Sequence, residues 1–134
     1  MIRDAAKSVQ KLDIYEKERP VGIQIFGANL DSMLRSVEIV EASNPDIIDI
    51  NFGCPVKKVV CKGASAGILK DISKMVSLTK AMVEHTKLPV TVKTRLGWDH
   101  DSIHIVEVAE RLQDVGCAAT VSYTHLTLPT ILLV

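Results

Sequence analysis

The sequence predicts an α/β fold in which a helix follows each strand of a parallel sheet. Three short runs of largely β-branched residues, at 21–26, 47–51 and 90–95, are each closed by a glycine within two residues. Stretches with apolar residues at helical spacing separate them, and a fourth run begins at 117–121. Strands joined through helices make right-handed crossovers, so the sheet is predicted to be parallel. The length of 134 residues suits one domain.

The first strand lies between two predicted helices. Residues 3–12 form a polar helix, and a charged segment leads from it into the strand at 21–26. Asp31 is predicted to cap the next helix, because its side chain can accept from the amides of the first turn. Pro45 ends that helix, since the residue before a proline disfavours the helical conformation. The apolar face of this helix comprises Met33, Val37 and Val40.

A long loop and a third helix follow the strand at 47–51. The loop, from Gly53 to Gly67, is rich in glycine and lysine. Ser73 is predicted to start an amphipathic helix, which Pro89 interrupts. The apolar stripe of this helix comprises Met75, Val76, Thr79, Met82 and Val83.

The last third of the chain repeats the pattern. After the strand at 90–95, Asp101 or Ser102 caps a fourth helix, and Gly116 ends it. A final strand begins at 117–121. The residues of the fourth helix that are predicted to face inward are Ile103, Val106, Ala109 and Leu112.

Open doubly wound sheets and eight-stranded barrels both fit this alternation. No G-x-G-x-x-G follows the first strand, which argues against a dinucleotide-binding sheet. Polar side chains collect at the carboxyl ends of the strands, which form the rim where barrels build their active sites. These residues are Gln24, Asn51, Cys54, Lys93 and Arg95. We therefore predict part of a (β/α)8 TIM barrel, which three and a half strands do not close.

The composition is that of a soluble globular protein, with 47% hydrophobic and 24% charged residues. Sixteen basic side chains balance sixteen acidic ones, so the total charge does not indicate a nucleic-acid partner. Three cysteines without regular spacing favour a reducing compartment. Because no apolar run reaches membrane-spanning length and no apolar segment lies near the N-terminus, we expect a cytoplasmic protein without a signal peptide.

Cys54 is the first candidate for chemistry. It follows a strand and a glycine and precedes a proline, so its thiol lies at the start of a rigid loop. It is either a small buried apolar residue or a reactive thiol, and its position alone does not decide between the two. Lys57, Lys58 and Lys62 nearby favour the thiolate or an anionic ligand. Cys117, at a helix–strand junction, is predicted to pack in the core.

Two cations are predicted to share one face of the third strand, because Lys93 and Arg95 are two residues apart. Inside a barrel they need an anion or an electron-rich ring nearby, whereas on an edge strand they would be solvated charges. Gln24 could bind a cofactor ring or satisfy backbone groups. Lysines and small residues at 57–67 suit a phosphate backbone, although a solvated loop has the same composition. The histidines lack the spacing of metal ligands, and no metal is predicted.

Together these segments resemble the tRNA-dihydrouridine synthases, most closely the bacterial DusB-like branch. The matching segments are 21–27, 46–60, 62–64 and 89–98, within a resemblance that runs from about residue 3 to residue 121. The most specific part is N-x-G-C-P followed by K-K-V-V-x-K-G.

The resemblance implies an enzyme that uses FMN and NADPH to reduce a uridine of tRNA to 5,6-dihydrouridine. Cys54 would protonate C5 of the uracil while hydride reaches C6. Gln24 and Lys93 match positions that contact the flavin, and Asn51 and Arg95 match positions near the uracil and the flavin. The partner is then tRNA, with no stable protein partner, and the segment corresponds to roughly strands 3 to 6 of the parent barrel.

Two departures from the family pattern concern the ends of the chain. The family's first strand, its flavin-phosphate loops and its helical RNA-binding domain have no counterpart in this sequence. We interpret residues 1–121 as a fragment of the FMN-binding barrel domain and 122–134 as a non-native tail that resembles translated adapter sequence. His125 of that tail is not assigned the role of the family's flavin-contacting histidine. The chain is therefore predicted to be truncated, to bind FMN poorly and to be inactive on its own.

Two other functions fit the same residues. Another FMN barrel, of the dihydroorotate or dihydropyrimidine dehydrogenase type, also places a cysteine or serine acid beside its flavin. The second is a non-catalytic half-barrel that self-associates through its open edges. The lysine-rich loop after Cys54 favours tRNA over a free pyrimidine.

Overall fold

Four parallel strands alternate with helices. A computed structural model describes residues 12–61 and 63–123, apart from the side chains of Lys58 and Val59. The strands β1 to β4 are Gly22–Ile25, Ile47–Asn51, Val90–Arg95 and Ala119–Tyr123. The helices α1 to α4 are Leu30–Glu41, Lys57–Val60, Ile72–His85 and Ile105–Asp114, and 3₁₀ helices lie at Glu16–Glu18 and Ser65–Lys70. None of the helices in the two described ranges is long and apolar enough to span a bilayer.

Two predicted segments fall on the ends of the chain. The polar helix at 3–12 lies outside the described residues except for Leu12, and so does the chain beyond residue 123. Ser122 and Tyr123, the first two residues of the predicted tail, continue β4. The boundary between residues 121 and 122 stays a prediction.

The strand order in the sheet is β1-β2-β3-β4, which is also the order along the chain, and each neighbouring pair is parallel. A doubly wound sheet reverses its strand order and carries helices on both faces. A barrel instead adds each strand beside the last and keeps its helices outside. Here α1, α3 and α4 bury side chains in one core with the strands. The predicted α/β fold, a segment of a (β/α)8 barrel, is confirmed.

Successive side chains of each strand point alternately to this core and to the opposite face of the sheet, which no helix of the described residues covers and which we call the open face. In β2, Ile48 and Ile50 are fully buried, whereas Asp49 and Asn51 are half-buried on the other face. Burial contributes about 1.5–3 kcal/mol for each large apolar side chain, so the helix-covered face holds most of the stabilising contacts. The helix residues buried against it are Met33, Val37, Val40, Met75, Leu78, Met82, Val108 and Leu112.

Two helices begin earlier than predicted. Asn29 caps α1, and its Oδ1 accepts from the amide three residues further on at 2.9 Å. Asp71 caps α3 in the same way at 3.0 Å. The predicted residues, Asp31 and Ser73, lie instead in the first turn, where an acidic side chain still interacts favourably with the helix dipole.

The predicted inward face of α4 is partly wrong. Leu112 is buried, but Ile103 and Val106 are 50% and 70% exposed. The helix begins at Ile105, because Ile103 instead forms a bridge with the loop after β3. The buried face of α4 therefore contains Val108 and Leu112.

The segment after Cys54 is predicted to be a long loop, but part of it is helical. It forms α2 and the 3₁₀ helix at Ser65–Lys70, whose first five residues are buried. A Cβ added to Gly67 would lie 2.6 Å from the carbonyl oxygen of Val60, so this position requires glycine for packing. The small residues at 64–67 are therefore buried within the chain, whereas Lys57 is exposed at the start of the segment. The suitability of the segment at 57–67 for a phosphate backbone stays a prediction.

A groove of about 840 Å³ runs along one edge of the sheet. Side chains of β1 and α1 line it, among them Ile23, Ile25 and Ile39. The groove exists because β1 pairs with β2 on one side and with no other strand of the described residues.

Candidate active site

The polar side chains at the strand ends share the face of the sheet that the helices leave open. Gln24 lies in register with Asp49, and Asn51 with Lys93. Because side chains at alternate positions of a strand share a face, Arg95 follows Lys93 on this side. The structure therefore brings together the four predicted strand residues, and the turn that carries the predicted thiol continues directly from β2.

The turn after β2 is held by hydrogen bonds to the backbone around Cys54. Asn51 Oδ1 accepts from the amides of Gly53 at 2.9 Å and Cys54 at 3.1 Å. Ser65 Oγ also accepts from the Cys54 amide, at 2.8 Å, and donates to the Asn51 carbonyl at 3.1 Å. Ser65 is fully buried and has a φ of 50°, in the left-handed region. The half-buried thiol of Cys54 is thus carried by a turn whose backbone is fixed.

A chain of side-chain hydrogen bonds connects this turn to the first three strands. Asn51 Nδ2 donates to Gln24 Oε1 at 2.9 Å. Gln24 Nε2 donates to Asp49 Oδ2 at 2.5 Å, and Thr91 Oγ1 donates to Asp49 Oδ1 at 2.6 Å. Two of the predicted site residues, Gln24 and Asn51, therefore belong to one network, and Gln24 is otherwise exposed on the open face.

Lys93 lies over an aromatic ring. Its Nζ is 4.3 Å from the centroid of the Tyr123 ring, a cation–π contact that stabilises by about 0.5–1 kcal/mol at exposed sites. The Tyr123 hydroxyl donates to the Gly53 carbonyl at 2.9 Å. A Cβ on Gly53 would lie 2.8 Å from that hydroxyl oxygen and 3.4 Å from Cγ of Arg95, which is 8% exposed. Tyr123 and Arg95 thus lie against the glycine that precedes Cys54, and Lys93 lies over the ring of the same tyrosine.

Comparison with known proteins identifies the family. The family model described as "Dihydrouridine synthase (Dus)" matches residues 1–122. The chain belongs to the dihydrouridine synthase family. The family resemblance inferred from the residues is therefore confirmed.

Several members of the dihydrouridine synthase family are similar to this chain. It is 41% identical over 107 residues to probable tRNA-dihydrouridine synthase 1 of Synechocystis sp., covering 80% of the chain and 30% of that relative. It is 36% identical over 115 residues to tRNA-dihydrouridine synthase B of Vibrio parahaemolyticus, covering 85% of the chain and 35% of that relative. A probable tRNA-dihydrouridine synthase of Aquifex aeolicus is 40% identical over 105 residues. The chain spans about a third of the length of these relatives.

Sequence reasoning misses three residues of this dihydrouridine synthase segment. Asp49 carries a signal that could have found it, since it is an acidic residue two positions before Asn51 in an otherwise apolar strand and so shares its face. Ser65 and Tyr123 reach the site from distant segments of the chain, and no local pattern indicates their contacts with the Cys54 turn.

The other two cysteines of this family member lie apart from these networks. Cys61 is exposed. Cys117 packs against the core, as predicted, and its Sγ donates to the carbonyl oxygen of Ala119 at 3.2 Å. Burial raises the pKa of the Cys117 thiol above its ordinary value. Within residues 12–61 and 63–123, no group of three or more His, Cys, Asp and Glu side chains could hold a metal ion.

Proposed function

We propose that this segment forms part of the active site of a tRNA-dihydrouridine synthase, an oxidoreductase that reduces uridine in tRNA to 5,6-dihydrouridine with FMN and NADPH. The observation that carries the proposal is the Cys54 turn. Its thiol is half-buried, its backbone is anchored by Asn51 and Ser65, and it adjoins the strand face that carries Gln24 and Lys93. The names of the relatives support tRNA as the substrate.

Cys54 is proposed as the general acid. Saturation of the C5–C6 bond of uracil takes a hydride at C6 and a proton at C5. A thiol on a fixed turn can hold that proton at Sγ and deliver it to C5, and because it is half-buried it can take up another proton from solvent. A positioned general acid contributes about 10²- to 10⁴-fold to the rate.

The open face fits a planar, electron-rich ring such as that of a flavin. The contact of Lys93 with the Tyr123 ring supports this fit, because it places an aromatic ring beside the same cation. We assign Lys93 to stabilise negative charge at the pyrimidine edge of the flavin, and Gln24 to bind the flavin through its side-chain amide. When bound, FMN supplies the hydride, with NADPH as the source of its electrons.

Asn51 and Arg95 are assigned to the uracil. Asn51 Nδ2 carries two hydrogens and donates one to Gln24, which leaves the other for a carbonyl of the base. The target base must leave the tRNA stack to reach this site. The exposed Lys57, three residues after Cys54, favours a polyanionic substrate over a free pyrimidine, and a cytoplasmic location accords with tRNA as the substrate.

The activity test places these residues in a complete enzyme, because the chain spans about a third of its relatives. Residues 12–121 replace the matching segment of the Synechocystis relative, and the chimera is incubated with FMN, NADPH and unmodified tRNA. We expect dihydrouridine in the tRNA, measured by mass spectrometry of nucleosides, and formation about 10²- to 10⁴-fold slower with the Cys54→Ala chimera. Cys61→Ala is the matched control and retains activity. Reduction of free uracil without reduction of tRNA would instead favour a pyrimidine dehydrogenase.

A further inference from the structure

Asp49 lies at the centre of the hydrogen-bonded network but has no part in the proposed chemistry. Its carboxylate is half-buried on the open face and accepts from two neighbouring strands, from Gln24 Nε2 at 2.5 Å and from Thr91 Oγ1 at 2.6 Å. Among the described residues no salt bridge reaches this carboxylate. The polar contacts of the Asp49 carboxylate on this face are therefore its hydrogen bonds to Gln24 and Thr91.

A carboxylate accepts hydrogen bonds and cannot donate them, whereas a side-chain amide has a donating and an accepting end. Asp49 therefore requires Gln24 to turn its NH₂ group towards β2, which leaves Gln24 Oε1 to face Asn51. Asn51 must then turn its NH₂ group towards Gln24, which leaves its Oδ1 for the amides of Gly53 and Cys54. Reversal of either amide would place two donors or two acceptors against each other.

We propose that Asp49 is a positioning residue that, together with the backbone amides of the turn, fixes the direction of the Gln24–Asn51 amide chain and thereby helps to hold the turn that carries Cys54. The positioning itself is a property of the folded chain. Its catalytic meaning rests on the proposed function, in which the Cys54 thiol protonates the substrate.

Asp49→Asn tests the proposal, because the substitution keeps the shape of the side chain and adds a donor. The substituted side chain could face Gln24 with either end of its amide, so only the backbone amides of Gly53 and Cys54 would still hold the direction of the chain. We expect the amides of Gly53 and Cys54 to exchange with solvent about five- to tenfold faster than in the wild-type 134-residue chain, as measured by NMR hydrogen exchange. Thr91→Val is the matched control: it removes one bond to Asp49, leaves the Gln24–Asp49 pair intact and leaves these exchange rates within about twofold.

A double variant supplies the rescue. In Asp49→Asn/Gln24→Glu the carboxylate moves to position 24, where it accepts from Asn51, as Gln24 Oε1 does in the wild type, and from the side-chain amide introduced at position 49. We expect the exchange rates of the Gly53 and Cys54 amides to return to within about twofold of the wild type. A folded Asp49→Asn chain with wild-type exchange at both amides, or a folded double variant without rescue, would overturn the proposal.

If the variants do not fold, exchange of the side-chain amide protons in the wild-type chain tests the proposal. Its Gln24 and Asn51 side chains are each expected to show one N–H proton that exchanges more slowly than those of exposed amides, and equal, unprotected protons would contradict the proposal. None of these measurements depends on turnover. A chimera that lacks tRNA activity would therefore refute the proposed function and leave the positioning role of Asp49 standing.

Discussion

The ammonium group of Lys93 lies 4.3 Å from the centroid of the Tyr123 ring, and the hydroxyl of the same tyrosine donates to the carbonyl of Gly53, the residue before Cys54. The ring thus occupies the place beside Lys93 that is proposed for the flavin. Tyr123 also lies in the segment predicted to be a non-native tail. A flavin bound as proposed would compete with the Tyr123 ring for the Lys93 ammonium group.

Tyr123→Ala is expected to raise the affinity of the chain for FMN about two- to fivefold, because a cation–π contact of about 0.5–1 kcal/mol no longer has to be displaced. Quenching of flavin fluorescence on titration measures the affinity. Tyr123→Phe is the control, since it keeps the ring over Lys93 and removes only the bond to Gly53, and it should bind FMN like the wild type. Equal affinity of the alanine variant and the wild type would contradict competition for Lys93.

Cys54→Ala in the chimeric synthase should lower the rate of tRNA reduction by about 10²- to 10⁴-fold, the contribution of a positioned general acid. Binding of FMN should be unchanged, because the thiol is assigned to the substrate side of the site. Single-turnover kinetics with prereduced enzyme measures reduction of the uracil, the step in which Cys54 is proposed to donate its proton. A loss of less than about tenfold in that step would assign the proton to another donor.

The three thiols should react with a disulfide reagent in the order Cys61, Cys54, Cys117. Cys61 is exposed and Cys54 is half-buried, whereas Cys117 packs against the core and its pKa is raised by burial. A raised pKa leaves less thiolate at a given pH, so labelling of Cys117 should need a more alkaline solution than labelling of Cys61. Mass spectrometry of peptides after timed labelling gives the order, and early labelling of Cys117 would show that its packing is loose.

Asp46 should make stability depend on pH in the acid range. The Val21 amide, at 2.7 Å, and then the Arg19 guanidinium, at 3.0 Å, hold the pKa of Asp46 below its ordinary value of 3.8 against partial desolvation. A lowered pKa contributes stability that is present above pH 3.8 and is lost as the pH falls through the folded-state pKa. Asp46→Asn should therefore lower the urea midpoint at neutral pH and have a diminishing effect below about pH 3.

Glu16→Gln is the control for this prediction, because Glu16 is a more exposed partner of the same arginine. Its effect on the urea midpoint should be small at every pH, as for other exposed ion pairs. A difference between Asp46→Asn and the wild type that persists unchanged into strong acid would mean that Asp46 acts through packing and not through its charge.

Much of the site was predictable because strands have a side-chain period of two. That period places Lys93 and Arg95 on one face, and parallel pairing brings Asn51 and Gln24 to the same edge. The period does not predict the bond of Ser65 to the Cys54 amide, because the intervening segment has no regular repeat. Each distant contact of this kind depends on the packing of the whole chain.

The caps show a different limit of sequence reasoning. Asn29 and Asp31 are both good N-cap residues within three positions of each other, and local chemistry does not choose between them. The choice depends on the point at which the loop after β1 enters α1. At that point the side chain of Asn29 accepts from the free backbone amide of Ser32. The start of α4 is shifted for a related reason, because Ile103 pairs with a neighbouring loop before the helix begins.

The alternation along β2 has a consequence for which changes the chain can tolerate. Ile48 and Ile50 belong to the helix-covered core, and Asp49 and Asn51 to the opposite face. Substitution at one of these positions alters one face only. Insertion of a single residue into β2 would exchange the two sets, turning a carboxylate into the core and isoleucines towards the open face. Selection on this strand should therefore act more strictly on its length than on the identity of any one apolar residue.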